Sequence, residues 1–324
     1  MKKIIGALLL MGGLVLMGLS FPQLPQTWKG QEQRFAIPDT VQTISVSASQ
    51  ADIRITSVDD LDEIKVTLSG NGSLNVNHSE ERIDLQVEDK SWGLLPRGCT
   101  LDIYLPSFYK QVLMAEADEG NIDVYGGSEE GRMTLRELAL TIHLGNVKVM
   151  DTHAERLLFN GAAAKFSGEQ VEAGSSEFEL ISGKIDLDKY SGDYDISMET
   201  GKLNVSNFSN GDGRVKLTAG QINLDHYEGG LKAEITSGEI NAQLDRAGGA
   251  FDIHIISGNV NFLLPLPADF RLDAATEDGR IRAVYPFDTI DTQERRKLEA
   301  ASGTGKIPLR VRLLSGNLNV DSTP

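Results

Sequence analysis

The sequence reads FELISGKIDL (178–187), ISMETGKLNV (196–205), VKLTAGQINL (215–224), AEITSGEINA (233–242) and IHIISGNVNF (253–262), with a further copy, VRLLSGNLNV, at 311–320. The shared pattern is apolar-x-apolar-x-[Ser/Thr/Ala]-Gly-x-apolar-[Asn/Asp]-apolar, and it recurs about once every 19 residues along 178–262. Self-similarity at a fixed period of this length is typical of stacked repeats. The sequence therefore predicts an all-β fold, a β-solenoid of stacked two-strand coils.

The apolar positions change phase inside each copy. In VKLTAGQINL, Val215 and Leu217 are two residues apart, but the next apolar residue, Ile222, comes five residues later. Because strand side chains alternate between two faces, an odd step requires a bend. Glycine adopts positive φ without steric cost, so we expect a structural corner at the glycine of each copy: Gly183, Gly201, Gly220, Gly238, Gly258 and Gly316.

A second break follows about seven residues after each glycine, at Tyr190, Phe208, Tyr227 and Arg246. Two breaks per repeat give two short strands per coil. A meander of two-residue hairpins would have the same parity, but it would leave one wide apolar face uncovered. Burial of about four inward side chains cannot offset the cost of ordering a coil of this length alone, so the coils must stack.

The composition narrows the class of protein. The chain of 324 residues has a formal net charge of −16, 6% aromatic residues and 33 glycines. The acidic balance argues against nucleic-acid binding, which depends on clustered Lys and Arg. Cys99 is the only cysteine, so the chain has no internal disulfide, and its position at the start of an alternating strand pattern favours a buried hydrophobe over a reactive thiol.

The N-terminus indicates export. Lys2 and Lys3 precede an uncharged, mostly apolar run from residue 4 to residue 21. As a helix this run would be about 27 Å long, which is just enough to cross a bilayer core. We expect an uncleaved transmembrane helix in residues 1–24, with the following chain extracytoplasmic. A cleaved signal peptide ending before Phe21 is the alternative.

The remaining chain divides by pattern. Residues 25–40 are expected to be a linker, 41–112 a β-rich lead-in to the solenoid, and 113–320 the solenoid repeats. Residues 286–306 interrupt the repeats as an insertion. Within it, DTQERRKLEA (291–300) is compatible with two helical turns.

A polar row lies three residues after the repeated glycines. Asparagine is a poor strand former, so its recurrence at one register needs a physical reason. One interpretation is a stacked outward row whose amides form hydrogen bonds from coil to coil. The other is an exposed recognition stripe for glycan. Its members are Asp186, Asn204, Asn223, Asn241, Asn261 and Asn319.

Catalytic and metal motifs are absent from the sequence. Asp186, Asp188, Asp193 and Asp195 form an acidic group, but neither the calcium nonapeptide nor a hand-type loop is present, so we predict no metal site. Asp225 and His226, near Asp188, are the one acid–base candidate, and known nucleophile and metalloprotease motifs do not occur. We expect no catalytic residue and no cofactor.

The repeated [Ser/Thr]-Gly-x-Ile-x-[Val/Leu] coils resemble the bacterial "putative adhesin" β-solenoid family. So do the "apolar-Pro" strand ends of DIYLPSFY (102–109) and FLLPLPADF (262–270). With the N-terminal segment, the resemblance extends to LiaG-like membrane-anchored envelope proteins. It implies a β-solenoid over roughly residues 40–320 and no established activity.

Together these features predict a non-enzymatic, membrane-anchored, extracytoplasmic binding or stress-response module of the cell envelope. Its expected partners are the membrane, through the N-terminal segment, and a cell-envelope glycan or protein. A surface adhesin and a carbohydrate-active β-helix enzyme are the alternatives.

Overall fold

The computed structural model describes residues 31–89, 98–127, 131–246 and 248–323. Within these ranges every regular element is a β-strand, so the all-β prediction is confirmed. No helix in the described ranges has the length and apolar character needed to cross a membrane. The predicted anchor in residues 1–24 lies outside the described residues.

The strands are numbered in chain order. They are β1 (Gln31–Ala36), β2 (Thr43–Val58), β3 (Glu63–Ser69), β4 (Gly72–His78), β5 (Arg82–Asp89), β6 (Cys99–Pro106), β7 (Val112–Tyr125), β8 (Met133–Asp188), β9 (Ser191–Phe208), β10 (Asp212–Tyr227), β11 (Gly230–Leu244), β12 (Phe251–Leu264), β13 (Phe270–Ala283), β14 (Thr289–Gln293), β15 (Lys297–Ser302) and β16 (Ile307–Ser322).

The repeats stack in parallel and in register, as a β-solenoid requires. Gly220 of β10 pairs with Gly201 of β9 on one side and with Gly238 of β11 on the other. The same alignment continues from β11 to β12. Each copy of the repeat therefore lies directly against the next, and the buried side chains form one continuous core.

Each long strand bends at its glycine without losing its pairing. In β10, Val215 and Leu217 are buried before the bend, and Ile222 and Leu224 are buried after it, so the inward parity changes there. Gly220 has a φ of 149°, and a Cβ at this position would overlap the carbonyl oxygen of Gly201 in the next coil. Glycine is therefore required here for two reasons: the positive φ, and the close approach of the bend in the neighbouring coil.

The other glycines expected at corners occupy the equivalent position. Gly183, Gly201, Gly258 and Gly316 also have positive φ. The φ of Gly238 does not lie in the positive region, yet an added Cβ there would overlap the carbonyl oxygen of Gly220. At Gly238 the requirement for glycine is therefore the close approach of the neighbouring coil.

The second break of each coil begins at a non-glycine residue. Asn207 and His226 adopt positive φ (53° and 51°), and each precedes an aromatic residue that is fully buried. The two aromatic rings, of Phe208 and Tyr227, stack with centroids 4.6 Å apart. The left-handed residue thus turns the chain so that the aromatic side chain enters the core, where it packs on the next coil.

At the C-terminal end the spatial order differs from the chain order. β16 lies between β12 and β13 and pairs in parallel with both. Gly316 consequently aligns with Gly258 on one side and with Gly279 on the other. The well-formed repeat at 311–320 continues the stack directly from 253–262, and the weaker repeat in β13 is moved one position outward.

The structure corrects two expectations. The helical prediction for 291–300 is wrong, because β14 and β15 form an antiparallel hairpin and β15 pairs with β13. Leu298 and Ala300 alternate and are buried, so the period-two burial overrides local helix propensity. The linker prediction for 25–40 is wrong at β1, which pairs antiparallel with β3, and Phe35 of β1 packs against the core.

Candidate functional site

The polar row after the glycines forms a continuous ladder of amides, which we call the amide ladder. Every asparagine of the row donates from its Nδ2 to the Oδ1 of the residue in the preceding coil of the stack, and Asp186 only accepts. The donor–acceptor distances are 2.6 Å for Asn204 to Asp186, 2.7 Å for Asn223 to Asn204, 3.1 Å for Asn241 to Asn223, 2.7 Å for Asn261 to Asn241 and 2.7 Å for Asn319 to Asn261. The side chains are half-buried.

Asp186 begins the amide ladder as an ionised acceptor. Its carboxylate lies 2.7 Å from Nζ of Lys184 and 3.4 Å from Nζ of Lys165. Burial raises the pKa of Asp186, but the hydrogen bonds from Lys184 and Asn204 outweigh it and hold the pKa below its ordinary value. The carboxyl group of Asp186 is therefore ionised at neutral pH and accepts the hydrogen bond from the first amide, that of Asn204.

These bonds show what the amide ladder can do chemically. The inner Oδ1 atoms accept from the next coil, while each Nδ2 group uses one of its two N–H donors within the ladder. The Glu239 carboxylate gives Asn261 a second acceptor, since its Oε1 accepts from Nδ2 of Asn261 at 2.8 Å. The amide ladder joins the coils to one another, and what it offers a ligand is its remaining N–H donors.

Asp188 lies apart from the acid–base candidate, in which Nε2 of His226 is 3.9 Å from Oδ1 of Asp225. Nδ1 of His226 lies 2.7 Å from Oδ1 of Asp245, and this hydrogen bond, helped by the charges of Asp245 and Asp225, raises the pKa of His226. Asp188 instead accepts hydrogen bonds from Ser206 (2.9 Å) and Asn207 (2.7 Å). Asp188 and Asp225 align with the same intervening residue, Ser206, and so lie two strands apart.

The acidic group also has structural partners. Oδ1 of Asp193 accepts from the backbone N–H of Asp212 at 2.9 Å, and Asp212 accepts from the N–H of Gly230 at 2.8 Å. In the described part of the chain, no three His, Cys, Asp or Glu side chains converge to hold a metal ion. Cys99 is buried, and its Sγ lies 3.4 Å from the carbonyl oxygen of Gln50.

A groove of about 980 Å³ lies on the other side of the glycine bends, and the sequence analysis did not identify it. It runs across β9, β10, β11, β12, β16 and β13. Six strands at a spacing of about 4.8 Å give it a length of about 24 Å. Two rows of outward-facing side chains line it. One row lies four residues before the repeated glycines, and the other lies two residues before them. We call this feature the cross-strand groove.

The cross-strand groove combines apolar and charged groups. Ile256 and Leu314 occupy equivalent positions on neighbouring strands, and they are 52% and 50% exposed. Several charges along it are paired, including Lys232 with Glu234 at 3.4 Å and His254 with Asp252 at 3.1 Å. The sequence does contain a signal for this feature. Two residues before the repeated glycine, Ile256 and Leu314 are apolar, whereas other copies have Glu199, Thr218 and Thr236 at the same position.

The comparisons with known proteins agree with this architecture. The family model Toastrack DUF4097 matches residues 41–213 and, a second time, residues 208–321. The chain belongs to the Toastrack DUF4097 family. The predicted resemblance to the β-solenoid family of bacterial putative adhesins is confirmed by this family match, and its LiaG-like part stays a prediction. No curated protein matches this Toastrack chain.

Three solved structures are among those similar to the Toastrack chain. A putative adhesin from Parabacteroides distasonis is 15% identical, with 72% of this chain and 97% of that chain covered and a TM-score of 0.38. A putative adhesin from Bacteroides fragilis is 11% identical, with coverages of 91% and 98% and a TM-score of 0.32. A putative lipid binding protein from P. distasonis is 12% identical, with coverages of 90% and 97% and a TM-score of 0.37.

Proposed function

We propose that this protein is a non-enzymatic binding module of the cell envelope that holds an extended ligand in the cross-strand groove. The observation that carries the proposal is the groove itself, which crosses six strands and exposes Ile256 and Leu314 side by side. Exposed apolar side chains bordered by polar groups are typical of ligand-binding grooves. A straight groove of about 24 Å suits a polymer better than a small metabolite.

The chemistry of the groove supports binding over catalysis. Glu234 and Asp252 are engaged by Lys232 and His254, and Arg312 forms an ion pair with Asp273. Because these side chains are held in ion pairs, they can offer hydrogen bonds to a ligand at fixed positions. The apolar pair would contact the flat face of a sugar ring or an aliphatic side chain, with hydroxyl groups of Thr218 and Thr236 beside it. Envelope glycan is therefore the ligand class that we propose.

Cosedimentation of the full-length protein with insoluble envelope glycan tests this proposal. The double variant Ile256→Ser/Leu314→Ser should lose most binding, because both contact side chains are removed. Ile181→Ser is the matched control, since Ile181 occupies the same repeat position and is 55% exposed but lies outside the groove. Equal binding by the two variants would overturn the groove as the site. Release of soluble sugar fragments by the wild-type protein would overturn the non-enzymatic function.

We further propose that residues 1–24 anchor the module in the membrane with the solenoid on the extracytoplasmic side. The support is the sequence pattern of Lys2 and Lys3 followed by the apolar run. Carbonate-washed membranes should retain the full-length protein, and protease added to intact spheroplasts should digest the solenoid. Release of the protein by the carbonate wash would contradict the anchor.

A role in the envelope stress response is the finer part of this proposal. It predicts that capture of envelope components by the protein changes when cells are treated with a membrane-active antibiotic. Crosslinking in treated and untreated cells, followed by identification of the captured components, provides the measurement. An identical set under both conditions would contradict the stress role and leave the binding function standing.

A further inference from the structure

Two arginines stand beside the amide ladder at its C-terminal end. Arg280 and Arg282 of β13 align with Asn317 and Asn319 of β16. These two asparagines align in turn with Asn259 and Asn261 of β12. The resulting grid of two arginines and four asparagines lines a recess of about 460 Å³, together with Glu239. This recess lies after the glycine bends and is separate from the cross-strand groove.

The intercalation of β16 creates this recess. In chain order, β13 follows β12 directly, and the two arginines would then lie next to Asn259 and Asn261. With β16 inserted, a second pair of amides separates them and widens the polar surface by one strand, about 4.8 Å. The recess is therefore a product of the C-terminal topology.

The two arginines are available to a ligand. Both are exposed, and in the described ranges neither guanidinium group forms an ion pair within 4.0 Å. They are two residues apart on one strand, so both project from the same face at a spacing of about 7 Å. Among the acids near this face, Glu239 accepts from Asn261 and Asp278 lies 4.0 Å from Arg296. Asp321 lies two residues beyond Asn319.

The amides around the arginines present donors. Oδ1 of Asn259 accepts from both the backbone N–H and the Nδ2 of Asn317, each at 3.1 Å. Oδ1 of Asn317 accepts from the backbone N–H of Arg280, also at 3.1 Å. The side-chain oxygens of Asn259, Asn261 and Asn317 are thus used within the grid, whereas the second N–H of Asn317 and both N–H groups of Asn259 remain. The surface offers N–H groups and positive charge to a ligand's oxygens.

We propose that this recess binds the carboxylate or phosphate groups of an anionic glycan. Guanidinium groups bind both anions through paired, charge-assisted hydrogen bonds. The neighbouring amide donors suit the hydroxyl and ring oxygens of the same polymer. A recess of this volume lies within the usual range for small ligands and accommodates a short stretch of a longer chain. The inference goes beyond the proposed groove function, because it assigns a second site with a defined charge preference.

Binding of the full-length protein to fluorescent oligogalacturonate, measured by anisotropy, tests this inference. Neutral dextran oligomers and phosphatidylglycerol vesicles are the comparison ligands. We expect the wild type to bind oligogalacturonate in preference to both, with an affinity that falls as salt rises. The variant Arg280→Gln/Arg282→Gln should weaken binding by at least about tenfold, the effect of losing charge-assisted hydrogen bonds.

The matched control is Lys110→Gln/Arg136→Gln. These two exposed basic residues are neighbours, since the backbone N–H of Arg136 donates to the carbonyl oxygen of Lys110, and they line neither the cross-strand groove nor the recess. Both variants remove the same charge, so an equal loss in the two would show only a net-charge effect and would overturn the site. Unchanged binding after loss of Arg280 and Arg282, equal binding of dextran, or a preference for vesicles would also overturn it.

This experiment is independent of the groove test. Loss of glycan cosedimentation in the Ile256→Ser/Leu314→Ser variant bears on the groove alone, and loss of oligogalacturonate binding in the arginine variant bears on the recess alone. Thermal melting followed by circular dichroism should be unchanged in both glutamine variants, since all four replaced side chains are exposed.

Discussion

Nδ2 of Asn204 lies 2.6 Å from Oδ1 of Asp186, and this bond sets the direction of the whole amide ladder. Every later asparagine donates toward Asp186, so the amide dipoles point the same way. A row of aligned hydrogen bonds is polarised. Its donor end meets the carboxylate of Asp186, and its acceptor end, at Asn319, aligns with Arg282. The charges at both ends have the sign that stabilises this direction.

Removal of an inner amide should weaken the stack. Asn223→Ala deletes the bonds to Asn204 and Asn241 and leaves both partners half-buried. The expected loss is about 1–3 kcal/mol of unfolding free energy, measured by urea denaturation. Gln221→Ala is the control on the same strand, because its side chain forms no hydrogen bond to a described residue. An equal loss in both variants would contradict a stabilising role for the amide ladder.

Acid should weaken the start of the amide ladder. The pKa of Asp186 is lowered in the folded protein. Its contribution is therefore present above the ordinary value near 3.8 and is lost as pH falls through the lower, folded pKa. Asp186→Asn should flatten the fall in unfolding free energy below about pH 4. Asp195→Asn, an exposed position with no described hydrogen bond, should retain the wild-type slope, and a flattened slope there would contradict the assignment.

His226 should titrate above an ordinary histidine. Its hydrogen bond to Asp245 raises its pKa, so this contribution to stability is present below the ordinary value near 6.5 and disappears as pH rises through the higher, folded pKa. NMR titration of the imidazole should show a lower pKa for His226 in Asp245→Asn than in the wild type. No change at His226 would exclude Asp245 as the cause.

Gly220 should not tolerate a side chain. Gly220→Ala introduces a Cβ at a φ of 149° and against the carbonyl oxygen of Gly201. The backbone strain alone costs about 1–3 kcal/mol, and displacement of the adjacent coil adds to it, so the melting temperature should fall. Gly98→Ala is the matched control, since an added Cβ there meets no atom within 4 Å. Similar melting temperatures for the two variants would argue against the bend.

Local periodicity explains why so much of the repeat was predictable. The parity change at Ala219 and Gly220, the inward positions of Val215 and Ile222, and the outward position of Asn223 all follow from side-chain alternation within ten residues. The turn at His226 was harder to predict, because a non-glycine residue at positive φ has only a weak local signal. Burial of Tyr227 in the next coil's core imposes it.

The insertion shows where local reasoning fails. DTQERRKLEA contains residues that favour helices, and nothing within the segment reveals an open strand edge elsewhere. β13 provides that edge, and β15 pairs with it antiparallel, burying Leu298. The hairpin then covers the last coil, whose unpaired backbone groups would otherwise face solvent. Tertiary context, which the segment itself does not encode, selected the strand.

The sequence by itself determined the all-β class, the coil period, the bend at glycine and the polar row, because each depends on residues within one repeat. Tertiary structure alone decided the order of the last coils. It placed β16 between β12 and β13 and thereby brought Arg280 and Arg282 beside Asn317 and Asn319. It also assembled the cross-strand groove from six strands. Periodicity predicts that consecutive coils are neighbours, as β9 to β12 are, but it does not reveal where the strand order departs from the chain order.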